Sequence, residues 1–144
     1  MHHTTSPLSR LVSTLGSSLA MYVSDAGIWT YPGAEEIKLA LADLADDHRS
    51  LIERAGAALE DRGLEPPRPV YPIQFTATHD LDLRTLLPRI IAGLKSILGH
   101  VEGLAVDAAT DPQADDLLRE AATSTRTHID ALEQVLARPR ATAG

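Results

Sequence analysis

The stretch AEEIKLALADLADDHRSLIERAGAALEDR, residues 34–62, decides the fold. Its apolar side chains Ile37, Leu41, Leu44, Leu51, Ala55 and Leu59 recur at intervals of three or four residues, the period of one helix face rather than of a strand. His48 falls in the same stripe, and Asp43, Asp46 and Asp47 lie beside it as an expected solvated side. Glu35 and Glu36 suit the positive first turn of a helix, and Gly63 follows Arg62 as a natural C-cap. Helix two is therefore expected over residues 34–62, about 40 Å long at 1.5 Å per residue.

The same period repeats on both sides. Ser6-Pro7 pairs an N-cap hydroxyl with a proline at the first helical position, and Leu8, Leu11, Val12, Leu15, Leu19 and Tyr22 follow, predicting helix one over 7–24. Leu83, Leu86, Leu87, Ile90, Ile91, Leu94, Ile97, Leu98, Val101 and Leu104 predict helix three over 80–108, with Pro88 expected to kink or restart it. Asp111-Pro112 repeats the start signal, and Leu118, Ala121, Thr125, His128, Leu132 and Val135 predict helix four over 112–137. Four amphipathic helices in a chain this short imply an all-α, four-helix bundle forming a single domain over residues 1–144.

Between Leu64 and Thr78 the prolines Pro66, Pro67, Pro69 and Pro72 argue against helix, while Val70, Tyr71, Ile73 and Phe75 are too apolar for a free linker. An ordered, extended connection is expected there. At about 3 Å per residue it can span helix two, so helices two and three are expected to run parallel, joined by a long crossover connection. Trp29, Tyr31, Tyr71 and Phe75 all lie in the two longer connections. They are expected to pin those segments to the bundle or to form the interface of a homodimer.

Composition narrows the function classes. The 13 basic and 20 acidic residues give a net charge of −7 without any basic run, which argues against nucleic acid and anionic membranes as partners. There is no cysteine, so disulfides, thiolate metal sites and cysteine nucleophiles are excluded. The apolar run Leu11 to Val23 is shorter than the roughly 18 residues of a membrane span and is broken by Ser13, Thr14, Gly16, Ser17 and Ser18. Its helical period reads as a packed helix rather than a signal peptide, and a cytoplasmic location is expected. No glycine-rich phosphate loop, nucleophile elbow or metalloprotease motif occurs.

Two helices, a long crossover and two further helices joined by a short turn resemble the ferritin-like family over nearly the whole chain. The resemblance implies a di-iron centre with one glutamate each from the first and third helices and a Glu-x-x-His pair from each of the other two. Here His48 and His128 keep the histidine positions, while Ala45 and Thr125 stand where the glutamates would be. Helix one offers no carboxylate, and the middle of helix three offers none until Glu102. Two imidazoles cannot neutralise and bridge two irons, so iron chemistry is not expected.

The His-x-x-x-Glu and His-x-x-x-His spacing of haemerythrins is also missing. Four residues beyond His48, His79, His100 and His128 stand Ile52, Leu83, Leu104 and Leu132. Two readings of the pair stay open. His48 and His128 are core histidines hydrogen-bonded across the bundle, to a helix-one serine or to each other; or they hold a single divalent metal, which would want a third ligand. His79, next to Asp80 and close to Asp82, reads as part of a helix cap, and His100 reads as structural. No cofactor is expected beyond that metal and no catalytic residue is assigned. A non-catalytic bundle acting through self-association or partner binding is the expected function, with a metal-binding bundle and a carrier of small molecules as alternatives.

Overall fold

The computed structural model describes residues 6–26, 33–78 and 81–138. Among these residues the chain is helical without a strand. The helices are α1 (Pro7–Gly16), α2 (Leu19–Ala26), α3 (Glu35–Asp61), a 3-10 helix (Ile73–Thr78), α4 (Leu83–Asp107) and α5 (Pro112–Ala137). The buried aliphatic residues of all five α-helices form one cluster, fed by the stripes read from the sequence. No helix among the described residues is long and apolar enough to cross a membrane.

Three start signals work as their residue types require. The side chains of Ser6, Asp82 and Asp111 accept hydrogen bonds from the amides of Ser9, Thr85 and Ala114 at 3.2, 2.7 and 3.3 Å. Each satisfies one of the amides that a helix start leaves unpaired, worth about 1 kcal/mol. At the end of α3, Gly63 takes a left-handed φ of 74°, and the amides of Gly63 and Leu64 return to the carbonyls of Glu60 and Leu59 at 2.9 Å. That is the glycine-closed helix end the sequence announced. The start of α3 is less regular: Ala34 adopts φ 57° and offers no side-chain cap.

Helix one is not continuous. It breaks after Gly16, where Ser17 turns its hydroxyl back to the Ser13 carbonyl at 2.6 Å, and Ser18 accepts the amide of Met21 at 3.1 Å to begin α2. The break adjoins a contact with a residue far away in sequence. A Cβ on Gly16 would lie 2.8 Å from Cβ of Pro69 and nearer still to its Cγ, so the ring of Pro69 is seated on the bare backbone of α1. Other expectations are also corrected. The prolines do not keep residues 64–78 wholly extended, since Ile73–Thr78 close into a 3-10 helix after the last of them, Pro72. Helix three starts at Leu83 rather than at residue 80, and it continues through Pro88, which is exposed.

Cross-helix pairs fix the directions. Glu36, Asp47, Arg54 and Arg62 of α3 and its C-cap meet Arg138, His128, Glu120 and Asp111 respectively, so α3 and α5 run in opposite directions. Lys95 and Glu102 of α4 meet Glu133 and Arg126, so α4 also opposes α5. It follows that α3 and α4 point the same way. The segment between them runs back along the bundle: Pro66 lies beside Gly56, Pro69 beside Gly16, which also neighbours Ile52, and Tyr71 and Phe75 beside Tyr22.

Seating Pro69 on Gly16 makes a paired prediction for denaturant unfolding. Gly16→Ala is expected to lower stability by about 1–3 kcal/mol through overpacking, and Pro69→Ala in the same chain to restore part of the loss. Gly93→Ala in α4, where an added methyl meets nothing within 4 Å, is expected to raise stability by about 1 kcal/mol.

Candidate functional site

The helical period places His48 where its neighbours Leu44, Leu51 and Ala55 all point inward, and it is 0% exposed. Imidazole in such surroundings needs a hydrogen-bond partner, because an unpaired buried polar group costs about 1–3 kcal/mol. The partner is on α5. His48 Nε2 lies 3.1 Å from Oγ1 of Thr125, itself fully buried. The threonine hydroxyl can donate to a bare Nε2 or accept from a protonated one, so the contact holds for either neutral tautomer. Nδ1 of His48 is buried without a partner.

His128 follows Thr125 by almost one turn and faces α3 at the edge of the core. Its Nε2 lies 2.6 Å from Oδ2 of Asp47, with the two side chains 11% and 58% exposed. Asp47 and His48 are neighbours in sequence, so a helix turns them about 100° apart: one reaches the seam's edge and the other its interior. The rings of His48 and His128 stand nearly perpendicular, their centroids 6.5 Å apart. One turn before His128, the hydroxyl oxygen of Ser124 is also buried without a partner.

Burial lowers the His48 pKa to about 4, helped by the charge of His128 and opposed by that of Asp47. His48 is therefore held neutral at physiological pH. Both histidines already spend Nε2 on a protein oxygen, and no group of three or more His, Cys, Asp or Glu residues among the described residues is arranged to hold a metal ion. The positions compared with a di-iron centre do other work in this chain. Ala45 is packed in the interior, and Thr125 supplies the hydrogen bond that lets His48 be buried.

The remaining sequence-selected residues fall elsewhere. Tyr71 and Phe75 pack on Tyr22 of α2, with ring centroids 5.1 and 5.6 Å away. The Tyr71 hydroxyl donates to Asp25, and Arg49 of α3 donates to both Asp25 at 3.1 Å and Ser24 at 2.9 Å. These aromatics tie the connection to its own chain. His100 is exposed and lines a surface cleft of about 260 Å3 with Arg10, Gly103 and Asp107. Trp29, Tyr31, His79 and Asp80 lie outside the described residues.

Sequence reasoning missed Asp47 as a partner for His128, because its exposed position in a run with Asp43 and Asp46 looks like ordinary solvation. The available signal was its adjacency to the one histidine in the stripe of α3. No protein-family model, curated protein or solved structure matches the chain.

The lowered His48 pKa sets a pH window. The unfolded chain takes up a proton near pH 6.5 and the folded chain only near 4, so stability is full above pH 6.5 and declines as pH falls toward 4. Urea unfolding between pH 7.5 and 4 is expected to show a loss of about 3 kcal/mol from this group, absent in His48→Leu/Thr125→Val. Thr125→Val alone is expected to cost about 1–3 kcal/mol at pH 7.5 by leaving the imidazole without its partner.

Proposed function

We propose that the chain is a ferritin-like four-helix bundle, with α1 and α2 together forming its first helix and the 62–82 segment its long crossover, and that it acts by self-association or partner binding rather than by catalysis. The parallel course of α3 and α4 supports the architecture, since a ferritin-like bundle joins its second and third helices in that way. The observation that carries the functional reading is the use of both imidazoles inside the protein. His48 is tied to Thr125 and His128 to Asp47, which leaves no open carboxylate-rich centre for redox chemistry at the seam.

The crossover supplies the surface for association. Val70 and Ile73 are 79% and 82% exposed, flanking Tyr71, whose ring is held against α2. Exposed single apolar residues are common, but two large ones on a segment fixed at Pro69, Tyr71 and Phe75 present a rigid apolar edge. Ordering that edge has already been accomplished by folding, which lowers the entropy cost of binding. A homodimer through this edge is the reading we favour.

Light scattering coupled to size exclusion is expected to give twice the mass of a 15.5 kDa chain at micromolar concentrations, reverting to the single mass in Val70→Ser/Ile73→Ser. A monomer at every concentration overturns the homodimer. Elemental analysis of protein purified without chelators is expected to find no metal that depends on His48. Stoichiometric metal lost in His48→Ala would instead support the ligand reading.

A further inference from the structure

The seam between α3 and α5 is built around a group that is stable there in one protonation state only. His48 is fully enclosed; its Nε2 is engaged by a neutral hydroxyl and its Nδ1 faces no acceptor. An imidazolium carries two N–H donors, and in this position only one could find an acceptor. The groups whose charge reaches it are His128, 6.5 Å away on α5, and Asp47 on α3, and the carboxylate of Asp47 is already committed to His128. The other packed helices bring no relief. In α1 the lone charged residue is Arg10, at the surface; in α2 Asp25 is occupied by Arg49 and Tyr71; and on α4 Lys95 and Glu102 are exposed and paired with α5.

The same seam is weakly closed at its rim. Its cross-links are the pairs Arg54–Glu120, Asp47–His128 and Arg138–Glu36, with Arg62–Asp111 at the C-cap end of α3. Such exposed pairs contribute little individually and weaken in salt. Ser124 adds an unpartnered buried hydroxyl oxygen one turn from His128. A hydroxyl and an imidazole nitrogen that both lack partners when the seam is closed would gain water when it opens.

We propose that the α3–α5 seam is a proton-operated latch: His48 holds it shut when neutral, and on taking up a proton it drives α5 away from α3 around residues 44–51 and 121–129, baring the aliphatic core beneath. The seam then opens locally while α1 and α4 remain folded. The proton enters on Nδ1 or Nε2 of His48, whichever is bare, and is solvated there by admitted water. Acidification thereby exposes Leu44, Leu51 and Ile129, side chains that are otherwise enclosed. Buried histidines that charge at mildly acidic pH are a general means of biasing a two-state element. This inference is independent of whether the chain self-associates.

Native-state hydrogen exchange tests it on the intact chain. At low urea, amides of residues 45–51 and 122–129 are expected to exchange through an opening with a denaturant dependence clearly smaller than that of global unfolding, while those of residues 86–97 in α4 exchange only through global unfolding. After correction for intrinsic rates, the local opening constant is expected to rise about thirtyfold between pH 7.5 and pH 5, from the two protonation midpoints of the closed and open states. In His48→Leu/Thr125→Val, local opening is expected to become independent of pH. Three results overturn the proposal: seam amides with the denaturant dependence of α4, a wild-type local opening constant that does not change with pH, or an equal rise in the double variant. The first two need no variant.

Discussion

Enclosing one imidazole in an aliphatic interior constrains how α3 and α5 meet. Leucine stripes alone tolerate sliding, because one apolar contact replaces another at little cost. His48 does not, since displacing α5 by a turn would separate it from Thr125 and leave a buried nitrogen unpaired in addition to Nδ1. The surface pairs from Glu36–Arg138 to Arg62–Asp111 fall into the same register along the seam. They follow the alignment that the buried contact imposes more than they create it, given how little exposed ion pairs are worth.

A second constraint comes from direction. Because α3 and α4 run the same way, the chain must return along α3 before it can start α4, and the groove beside α1 is where it does so. Four prolines stiffen that return, and Pro69 sits so close to Gly16 that position 16 has no room for a side chain. The return segment is thus seated against α1 through one ring and one missing methyl group, next to the break between α1 and α2. Downstream, Tyr71 and Phe75 against Tyr22 fasten the segment, leaving Val70 and Ile73 facing outward.

Much of this was legible in the sequence where the determinants are local. The apolar stripes, the Ser6-Pro7 and Asp111-Pro112 starts and the Gly63 stop depend on residues within a turn or two of one another, and each appears where the pattern put it. What was not legible depends on distant partners. Nothing within Leu8 to Tyr22 says that Pro69 will occupy the space above Gly16. The 3-10 turn at Ile73–Thr78 begins only where the prolines end, so counting prolines across the whole connection overstated their reach. At the site, His48 and His128 were recognisable as inward-facing, but their partners lay on the opposite helix. Thr125 looked like a lost ligand and is instead the group that satisfies His48.

The account therefore turns on the state of one side chain. An imidazole NMR titration that assigns the ring of His48 tests it most directly. A ring that stays neutral as pH falls to about 5 and begins to charge only near 4 agrees with a neutral core tie between α3 and α5. A ring that titrates at or above its usual value near 6.5 would contradict it, since such a group would be solvated or paired with a carboxylate rather than enclosed with Thr125.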